Sequence, residues 1–451
     1  MTPSKTEKKS LPARRAAYFV LKDIFEKESY ANLTLLAALR TYRLSSEDRR
    51  FLTTLVYGVC RRYNLLLWII SRFSSRPVAK LDSAVRLLLC LGLYQLRFLD
   101  SVPDSAAVNE TVKTAKAVTH LGNAKFINAI LRTYLREKEK LALPSEEKDP
   151  VLHDALLYNE PEWLVRYWYG LWGKKDARAV MAAFNEVRPT DVRMNRLRTT
   201  EEEFRKELDQ MGSSYEPLPF GWGVALMKAG SFFQSPLLSE GKCYVQNRAS
   251  MIPPLLLSPE KGEKVLDLCA APGSKTTQIA EMMGDRGIVD AWDLYPHKIR
   301  LIEANCRRLG IRSVHASVHD GTKYVKEAHE AYDRVLADVP CSGLGVIGRK
   351  TEIRWRRKEK DLAAFPPLQR ALLTEAAKYV KPGGTLVYST CTLCREENED
   401  MVEWFLASHP EFSLQPFERE GISSETGMVT LRPDKDRSDG FFGALLRRRK
   451  A

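Results

Sequence analysis

The sequence predicts a multi-domain protein with an all-α domain, a small α+β domain and a doubly wound α/β domain, in that order. Three observations support this prediction. The N-terminal part of the chain has apolar residues at helical spacing and no β alternation. From Lys264 onward, short apolar runs alternate with amphipathic segments, as in a largely parallel sheet covered by helices. The length of 451 residues also exceeds what one hydrophobic core usually serves.

Residues 1–12 are polar and basic, and we expect a disordered tail there. Residues 13–140 are predicted to form the all-α domain, because apolar residues recur at i, i+3 and i+4. The stretches with this spacing are AAYFVLKDIF, NLTLLAALRTY, SSEDRRFLTTLVYGVCRRYNLLLWIISRF, LDSAVRLLLCLGLYQLRFL and AKFINAILRTYLRE. Ser45 or Ser46, followed by Glu47 and Asp48, is typical of a helix N-terminus.

Residues 141–240 are interpreted as an acidic, proline-containing linker followed by a small α+β domain. Residues 241–451 are predicted to form the α/β domain. Its expected strands are KVLDLCA, GIVDAWD, SVHASVHD, DRVLADVP, TLVYSTC, FSLQPF and FFGALLR. The last two follow each other without an intervening helix, which predicts an antiparallel edge strand.

Charge and composition narrow the class of protein. The formal net charge of +13 favours polyanionic partners, so nucleic acid is the leading partner class. No apolar run reaches the ~18 residues of a membrane span, and the N-terminus lacks the apolar region of a secretory signal. A cytoplasmic monomer that does not bind membranes is expected. The eight cysteines are scattered, with a single C-x-x-C at Cys391 and Cys394, so no zinc or other metal site is expected.

The stretch from Lys264 to Thr277, KVLDLCAAPGSKTT, reads as a buried strand, a turn of small residues and a helix. This arrangement presents backbone N–H groups to a ligand at the carboxyl edge of a sheet. The turn matches neither G-x-G-x-x-G nor a Walker loop, which disfavours dinucleotide and ATP sites.

Acidic residues follow several of the expected strands. Asp293 comes about 20 residues after the glycine turn, where an acid binds ribose hydroxyls. Asp320 is placed to accept from an adenine amino group or a nearby hydroxyl, and Asp338 ends the next strand. A single acid of this kind is more often a helix cap. Three at successive strand ends favour a nucleoside-type cofactor.

Cys341 and Cys391 end two further strands, in DVPCSGLG and YSTCTL. A lone buried cysteine is usually a small apolar residue, but these two lie in turn-forming sequence. A thiolate can be activated there by a helix N-terminus or by neighbouring cations. A thiolate that adds to C6 of a cytosine makes C5 nucleophilic enough to take a methyl group, and a second group can assist proton removal and release.

The motifs DLCAAPGSKT, DVPCSG and YSTCT, in this order, resemble the Nop/Sun family of S-adenosylmethionine-dependent RNA cytosine-5 methyltransferases. The upstream YVQNRAS and the downstream DGFF fit the same family, so the resemblance spans roughly residues 159–447. The family has a Rossmann-like catalytic domain. The region 13–139 resembles the NusB antitermination-factor fold. Their fusion is similar to the bacterial members that act on 16S ribosomal RNA, which the resemblance implies as the substrate.

The resemblance implies a role for each motif residue. Cys391 would be the nucleophile on C6, Cys341 would help the product leave, and Asp338 would hydrogen-bond the cytosine edge and keep N3 protonated. Asp338 would also border S-adenosylmethionine, as would Asp293 and Asp320. The rest of the cofactor site would be the loop Cys269, Ala270, Ala271, Pro272, Gly273, Ser274 and Lys275. Lys275 would position either the cofactor or the base.

Two stretches need a separate interpretation. Ser274 stands where many family members have a second glycine, and a serine at a helix start is an acceptable N-cap. The basic stretch Arg349–Lys360, RKTEIRWRRKEK, could be a solvated helix face. Its place between the two cysteine motifs favours a contact with substrate RNA.

Alternatives remain open. The same residues would serve methylation of tRNA or of another rRNA cytosine. A non-catalytic RNA-binding or antitermination factor is an alternative from another class, although such a factor has no need of both Cys341 and Cys391. Amino-group methylation favours an Asn/Asp-Pro-Pro-aromatic motif, whereas DVPC supplies a thiol. The all-α domain could contact RNA or serve as a structural or protein-binding module.

Overall fold

The computed structural model describes residues 9–450, with only the backbone of Lys9. Residues 1–8, most of the expected disordered tail, lie outside the described residues. The chain forms two compact units. The helical unit comprises Met1–Asn185 and Ile347–Glu359, and the sheet unit comprises Glu186–Val346 and Lys360–Ala451.

The helical unit buries one continuous apolar core that runs from α1 to α7. Its elements are β1 (Lys9–Ser10), α1 (Ala13–Glu26), α2 (Ala31–Thr41), β2 (Tyr42–Arg43), α3 (Ser46–Phe73), α4 (Ser83–Phe98), α5 (Asp104–Val118), α6 (Leu121–Glu137), α7 (Pro150–Tyr158) and α8 (Glu162–Ala183). The Ser45 hydroxyl accepts from the backbone N–H of Asp48 at 3.0 Å, which confirms the expected start of α3.

Two features of this unit are not among those that the sequence singled out. Lys9 and Ser10 are not part of a disordered tail, because their backbone pairs in parallel with Tyr42 and Arg43. The partner strand lies far along the chain, so the polar composition of the N-terminus gives no sign of it. Helix α5 was also not singled out, since its apolar face is narrow and made mostly of Ala, Val and Thr.

The first part of the sheet unit is a small α+β layer. Its elements are β3 (Thr190–Met194), α9 (Glu201–Gln210), β4 (Ser214–Pro217), β5 (Gly223–Lys228), α10 (Pro236–Ser239) and β6 (Cys243–Val245). The strands form an antiparallel sheet in the order β4-β5-β3-β6. Helix α9 begins with a capping box between Thr200 and Glu203. A threonine followed by a run of glutamates favours this kind of helix start.

The second part is a doubly wound sheet. Its elements are α11 (Arg248–Leu257), β7 (Lys264–Asp267), α12 (Ser274–Met282), β8 (Ile288–Asp293), α13 (Pro296–Leu309), β9 (Val314–Val318), β10 (Tyr332–Asp338), α14 (Ile353–Arg356, which belongs to the helical unit), α15 (Phe365–Tyr379), β11 (Val380–Thr390), α16 (Glu399–Ser408), β12 (Phe412–Leu414), β13 (Phe417–Arg419), β14 (Ile422–Ser424), β15 (Met428–Leu431), α17 (Pro433–Asp436) and β16 (Phe441–Arg448).

The strand order is β12-β16-β11-β10-β7-β8-β9, with β15 paired to β16. Five neighbouring strands of this sheet are parallel, in the order β11, β10, β7, β8 and β9, and β16 runs antiparallel to β11. Alternate side chains of β7 serve two cores: Val265 packs with α11, α12 and α13, and Leu266 packs with α15 and α16. Both are fully buried, and such burial stabilises by about 1.5–3 kcal/mol each.

These features confirm the predicted fold class, with one correction to the sheet. The final strand β16 is antiparallel as expected, but it lies inside the sheet between β11 and β12 and is not an edge strand. Its side chains explain this position, because Phe442, Ala444 and Leu446 are buried on one face and Leu445 on the other. A strand with both faces buried is apolar throughout, which is typical of a sheet interior.

The basic stretch Arg349–Lys360 lies mainly in the helical unit. Arg354 on α14 is completely buried there, and its Nε lies 3.1 Å from Oε1 of Glu160, which is also completely buried. Burial raises the pKa of Glu160 to about 7 and lowers the pKa of Arg354. The cost of removing the two charges from water is therefore the largest influence on both groups.

The neighbours of Arg354 are also held inside this unit. Trp355 Nε1 donates to the backbone carbonyl of Cys60 at 2.7 Å, and Arg356 donates to the carbonyl of Ser29. The prediction that this stretch contacts RNA is therefore wrong for Arg354, which is completely buried, and stays a prediction for the half-buried Trp355 and Arg356. Charge pattern alone could not reveal this, because the partners that pair these side chains come from distant parts of the sequence.

Candidate functional site

The loop after β7 has the shape that the sequence predicts, with one shift. Gly273 has a φ of +97° and caps α12, and a Cβ there would lie 3.2 Å from the Cα of Ile302. Glycine is therefore required for both conformation and space. Ser274 is the first helical residue, and its side chain caps nothing, so the expectation of a serine N-cap is wrong. Because Gly273 has a positive φ and is not helical, the N-cap position falls on Gly273, one residue before Ser274.

Asp267, at the end of β7, lies under this loop. Its Oδ2 accepts from the Thr276 hydroxyl at 2.7 Å, while its buried Oδ1 has no hydrogen-bond partner among the described residues. Burial raises the pKa of Asp267 to about 7. A buried carboxylate oxygen without a partner at a strand end is suited to a ligand that brings a donor or a positive charge.

The two acids predicted to bind a nucleoside lie at the ends of neighbouring strands. Asp293 Oδ2 accepts from the backbone N–H of Ala271 at 3.2 Å, and Asp293 Oδ1 lies 3.1 Å from Lys298 Nζ. Hydrogen bonds from Thr322 lower the pKa of Asp320, which keeps that carboxylate ionised. The structure thus joins Asp293 to the loop directly and places Asp320 after β9.

Lys275 and Asp338 form an ion pair at the end of β10. Lys275 Nζ lies 2.6 Å from Asp338 Oδ2, and Ser389 Oγ donates to Asp338 Oδ1 at 2.8 Å. Burial is the largest single influence and lowers the pKa of Lys275, but the charge and hydrogen bond of Asp338, together with the charges of Asp267 and Cys391, leave that pKa raised. The Lys275 side chain is therefore held as a cation at neutral pH. The cofactor loop and the DVPC motif, 63 positions apart, meet through this pair.

The two cysteines predicted to act together lie in contact. Cys341 Sγ and Cys391 Sγ are 3.0 Å apart, and the backbone N–H of Cys391 points to Cys341 Sγ at 3.3 Å. The hydrogen bond with Cys391 and burial raise the pKa of Cys341 well above its usual range. Both influences favour the protonated thiol of Cys341. A negative charge on Cys391 in turn raises the pKa of Lys275, so a cation faces this sulfur.

The motifs YVQNRAS and DGFF meet beside the cysteine loops. Asn247 Nδ2 donates to Asp439 Oδ2 at 2.8 Å, and the next residue, Gly440, donates its N–H to the carbonyl of Gly345 at 2.8 Å. Gly345 also donates to the carbonyl of Cys391 at 3.1 Å. A Cβ on Gly345 would lie 2.2 Å from the Gly440 carbonyl oxygen, so only glycine allows these loops to pack.

Comparisons with known proteins fit this geometry. Residues 254–447 match the family model 16S rRNA methyltransferase RsmB/F. A probable ribosomal RNA small subunit methyltransferase B from Synechocystis sp. is 39% identical, with 97% of this chain and 100% of the relative covered. This chain belongs to the RsmB/F methyltransferase family. It is therefore an RNA methyltransferase, which confirms the family resemblance.

Further comparisons cover the rest of this RsmB/F-family chain. Residues 11–136 match the NusB family, and residues 160–232 match the RsmF/B ferredoxin-like domain. A probable ribosomal RNA small subunit methyltransferase B from Bacillus subtilis is 33% identical over 98% of this chain and 100% of the relative. The crystal structure of a protein named PH0851 has a TM-score of 0.85 at 28% identity, covering 98% of this chain and 100% of that one.

Several side chains at the site of this RsmB/F-family enzyme were not singled out from the sequence. Ser389 precedes the TC motif by one residue and orients Asp338. Arg193 on β3 is completely buried, donates to the Ser274 carbonyl at 2.6 Å, and lies 2.9 Å from Glu281 on α12. Nothing local marks Arg193, because its hydrogen-bond partners lie 53 and more positions away.

Residues 9–450 contain no group of three or more His, Cys, Asp or Glu side chains arranged to hold a metal ion. Within the same residues, no helix is both long enough and apolar enough to cross a membrane.

Proposed function

We propose that this enzyme transfers a methyl group from S-adenosylmethionine to C5 of a cytosine in 16S ribosomal RNA, through a covalent bond between Cys391 and C6 of the base. The observation that carries this proposal is the contact of Cys391 and Cys341 beside the Lys275–Asp338 pair. Methylation of an amino group or a ribose hydroxyl has no use for two thiols.

The residues around the β7 loop fit S-adenosylmethionine, which supplies an electrophilic methyl group when bound. The first N–H groups of α12 and the loop Cys269–Lys275 face the carboxyl edge of the sheet, where ligands of such folds bind. The unpartnered Oδ1 of Asp267 suits the ammonium group, and Asp293 suits the ribose hydroxyls. Asp320 is ionised and is assigned to the adenosine part.

The two cysteines divide the reaction between them. The Cys391 thiolate forms a bond to C6, which moves electron density to C5 and N3. C5 then bonds to the methyl carbon, and that carbon's bond to the donor sulfur breaks. As the S–C6 bond breaks, the Cys391 sulfur takes the proton of the Cys341 thiol, and the C5 proton replaces it on the Cys341 sulfur. The electrons of the C5–H bond form the C5=C6 double bond again, which restores the aromatic base. Cys341, which keeps its proton next to Cys391, is assigned to this release.

Asp338 is assigned to the cytosine edge. Its two oxygens are already oriented by Lys275 and Ser389, so the carboxylate is fixed before a base enters. A carboxylate there accepts from the exocyclic amino group or from a protonated N3, which stabilises the adduct. A base inside a duplex exposes neither face of C6, so the target must be flipped out or lie in a loop.

The choice of 16S ribosomal RNA rests on the relatives, whose names specify the small ribosomal subunit. The net charge of +13 agrees with any RNA substrate. A cytosine in tRNA or in another ribosomal RNA is the main alternative. A non-catalytic factor is disfavoured, because the thiol pair and the oriented Asp338 have no purpose in simple binding.

Bisulfite sequencing of rRNA and tRNA from a strain lacking this gene tests the proposal. Loss of one protected cytosine in 16S ribosomal RNA, restored by the wild-type gene and not by Cys391→Ala, is the expected result. The purified Cys391→Ala protein should still bind S-adenosylmethionine. If Cys391→Ala restores the modification, the assignment of the nucleophile is wrong, and if only tRNA changes, the substrate is wrong.

A further inference from the structure

The dipeptide Glu397–Asn398 lies directly behind the two cysteine loops. It joins the short turn that follows the TC motif to α16, and both side chains are buried, with 0% and 1% of their surface exposed. Neither side chain is assigned a part in the reaction above. Burial of a carboxylate and an amide is costly unless each is satisfied by specific partners.

Asn398 holds both neighbours of Cys391. Its Oδ1 accepts from the Thr390 hydroxyl at 2.6 Å, and its Nδ2 donates to the Thr392 carbonyl at 3.1 Å. A single planar amide therefore fixes the residue before Cys391 and the residue after it. The direction in which the Cys391 side chain leaves the backbone is set by these two bonds.

Glu397 holds the neighbours of Cys341 in the same manner, with help from Gln369 on α15. Glu397 Oε2 accepts from the backbone N–H of Ser342 at 3.0 Å and from Gln369 Nε2 at 2.7 Å. Gln369 Nε2 also donates to the Pro340 carbonyl at 3.1 Å. Of the two residues that flank Cys341, Ser342 is thus bonded to Glu397 directly, and Pro340 is linked to it through Gln369.

The two halves of this arrangement are joined. The hydroxyls of Ser342 and Thr392 lie 2.7 Å apart, which links the loop of Cys341 to the loop of Cys391. Tyr388 on β11 donates its hydroxyl to the Glu397 carbonyl at 2.7 Å, which fixes the dipeptide to the sheet. All of these contacts lie within the sheet unit.

We infer that Glu397 and Asn398 are positioning residues that set the distance and relative orientation of the two thiols. The inference rests on the proposed function for its consequence in catalysis, while the geometry that it describes can be measured without methyl transfer. The negative charge of Glu397 also raises the pKa of Cys341, which helps to keep that thiol protonated.

The test compares three single variants: Asn398→Ala, Glu397→Gln and the control Glu403→Gln, which changes an exposed side chain of α16. The first readout is the rate at which the thiol oxidant diamide, a diazenedicarboxamide, joins Cys341 to Cys391 in a disulfide. This rate is measured by mass spectrometry of alkylated peptides. Each disulfide removes two protons and two electrons from the thiols and reduces the N=N bond to a hydrazine. The second readout is steady-state methylation of 16S ribosomal RNA, and the third is the affinity for S-adenosylmethionine.

In Asn398→Ala we expect slower disulfide formation and a kcat lowered by roughly 100-fold, as for a misplacement of about 1 Å. KM for RNA and cofactor affinity should stay unchanged. In Glu397→Gln the oxygen that accepts from Ser342 is kept and the charge is lost, so alkylation of Cys341 should shift to lower pH. The control should behave as wild type. If Asn398→Ala does not fold, Asn398→Asp, which keeps Oδ1 for Thr390 and loses the donor to Thr392, should slow disulfide formation in its place.

A purely structural role would lower the melting temperature and leave the disulfide rate and the alkylation profile unchanged, and that result would overturn the inference. The two proposals also fail separately. If Cys391→Ala still methylates RNA while Asn398→Ala slows disulfide formation, the proposed reaction is wrong and the positioning role stands. If Cys391→Ala is inactive and the thiol readouts do not change in the variants, the positioning role is wrong.

Discussion

The two sulfur atoms at the site have different electrostatic surroundings. The hydrogen bond with Cys391 and burial hold the proton on Cys341, and Lys275 offers a positive charge to Cys391. A positive charge next to a thiol favours nucleophilic attack by that sulfur, in agreement with the assignment of Cys391 as the nucleophile. The neighbouring Cys341 has a proton available when the bond between sulfur and C6 must break.

Replacement of Cys341 should stop the reaction after the methyl group is transferred. In Cys341→Ala we expect a protein–RNA adduct that survives denaturation, because the Cys391–C6 bond forms but is not resolved. Gel shift under denaturing conditions, with 16S ribosomal RNA and S-adenosylmethionine, measures the adduct. Cys90→Ala, which removes a buried thiol on α4 in the helical unit, is the matched control. Normal product formation without an adduct would exclude Cys341 from the release step.

Asp267 predicts a dependence of stability on pH. Its pKa is about 7 in the folded chain and about 3.9 when unfolded, so the native state binds an extra proton between these values. The stabilisation is complete below about pH 4 and is lost as the pH rises through 7. It amounts to about 4 kcal/mol at most, at 1.36 kcal/mol for each pKa unit.

In Asp267→Asn this dependence should disappear, since the amide keeps an oxygen for Thr276 and does not titrate. We expect the ligand-free variant to gain stability relative to wild type between pH 5 and pH 8, measured by chemical denaturation. Equal slopes for the two proteins would show that Asp267 is ionised throughout. At the same time, the variant should bind S-adenosylmethionine less tightly, because the partner for the ammonium group loses its charge.

At the scale of elements, the short helix α14 shows that a charged side chain from a basic stretch can be buried inside a domain. Arg354 and Glu160 are both completely buried in the helical unit, and burial dominates the pKa of each. Removal of one member of a buried ion pair strongly destabilises a protein, because the other charge stays buried without a partner. Replacement of both members by apolar residues of similar volume is often neutral for stability.

Arg354→Met should destabilise the protein by about 3–5 kcal/mol, because Glu160 is left buried without its positive partner. The double variant with Glu160→Leu should recover most of this loss. Thermal and denaturant unfolding of the two variants measure the difference. If the double variant is as unstable as the single one, the pair contributes through its own attraction, and the interpretation based on desolvation is incorrect.

At the scale of the whole molecule, the helical unit has a structural task in addition to any contact with RNA. It encloses Ile347–Glu359, a segment that the chain places between the two cysteine motifs. Trp355 and Arg356 in this segment donate to carbonyls of α3 and of the connection after α1. Removal of the N-terminal helices would therefore expose side chains that are now paired.

Deletion of residues 1–140 should impair the choice of RNA more than the affinity for S-adenosylmethionine, because every residue assigned to the cofactor lies in the sheet unit. The structure adds that the truncated protein should also melt at a lower temperature. Calorimetric cofactor binding, competition between RNA substrates and thermal melting give the three readouts. Trp355→Ala in the full chain removes a contact between the segment Ile347–Glu359 and the N-terminal helices while the helices themselves stay in place. Comparison with the deletion therefore separates the effect of losing this contact from the effect of losing contacts with RNA. A lost cofactor site would show that the helices support the catalytic unit.

Much of the fold was predictable because its patterns are local. Helical spacing of apolar residues identified most of the N-terminal helices, and the strand–turn–helix at Lys264–Thr277 is present as β7, its loop and α12. The position of β16 and the pair β1–β2 were not predictable. Strand order depends on which apolar faces meet, and that choice is made between segments far apart in the chain.

The boundaries set at residues 140 and 240 stay a prediction. In the structure, α7 and α8 cluster with the N-terminal helices, and β3 to β6 cluster with the large sheet. Composition marks the acidic stretch near residue 145 but does not show on which side its neighbours pack.

By itself, the sequence determined the fold class, the family and the chemical nature of the site, because thiols and carboxylates at strand ends are properties of short motifs. Only the tertiary structure decided how these groups act together. It placed Cys341 and Cys391 in contact, paired Lys275 with Asp338, and turned Arg354 inward to Glu160. The physical reason is range: a motif fixes which groups are available, whereas distance, burial and charge pairing arise between residues that only folding brings together.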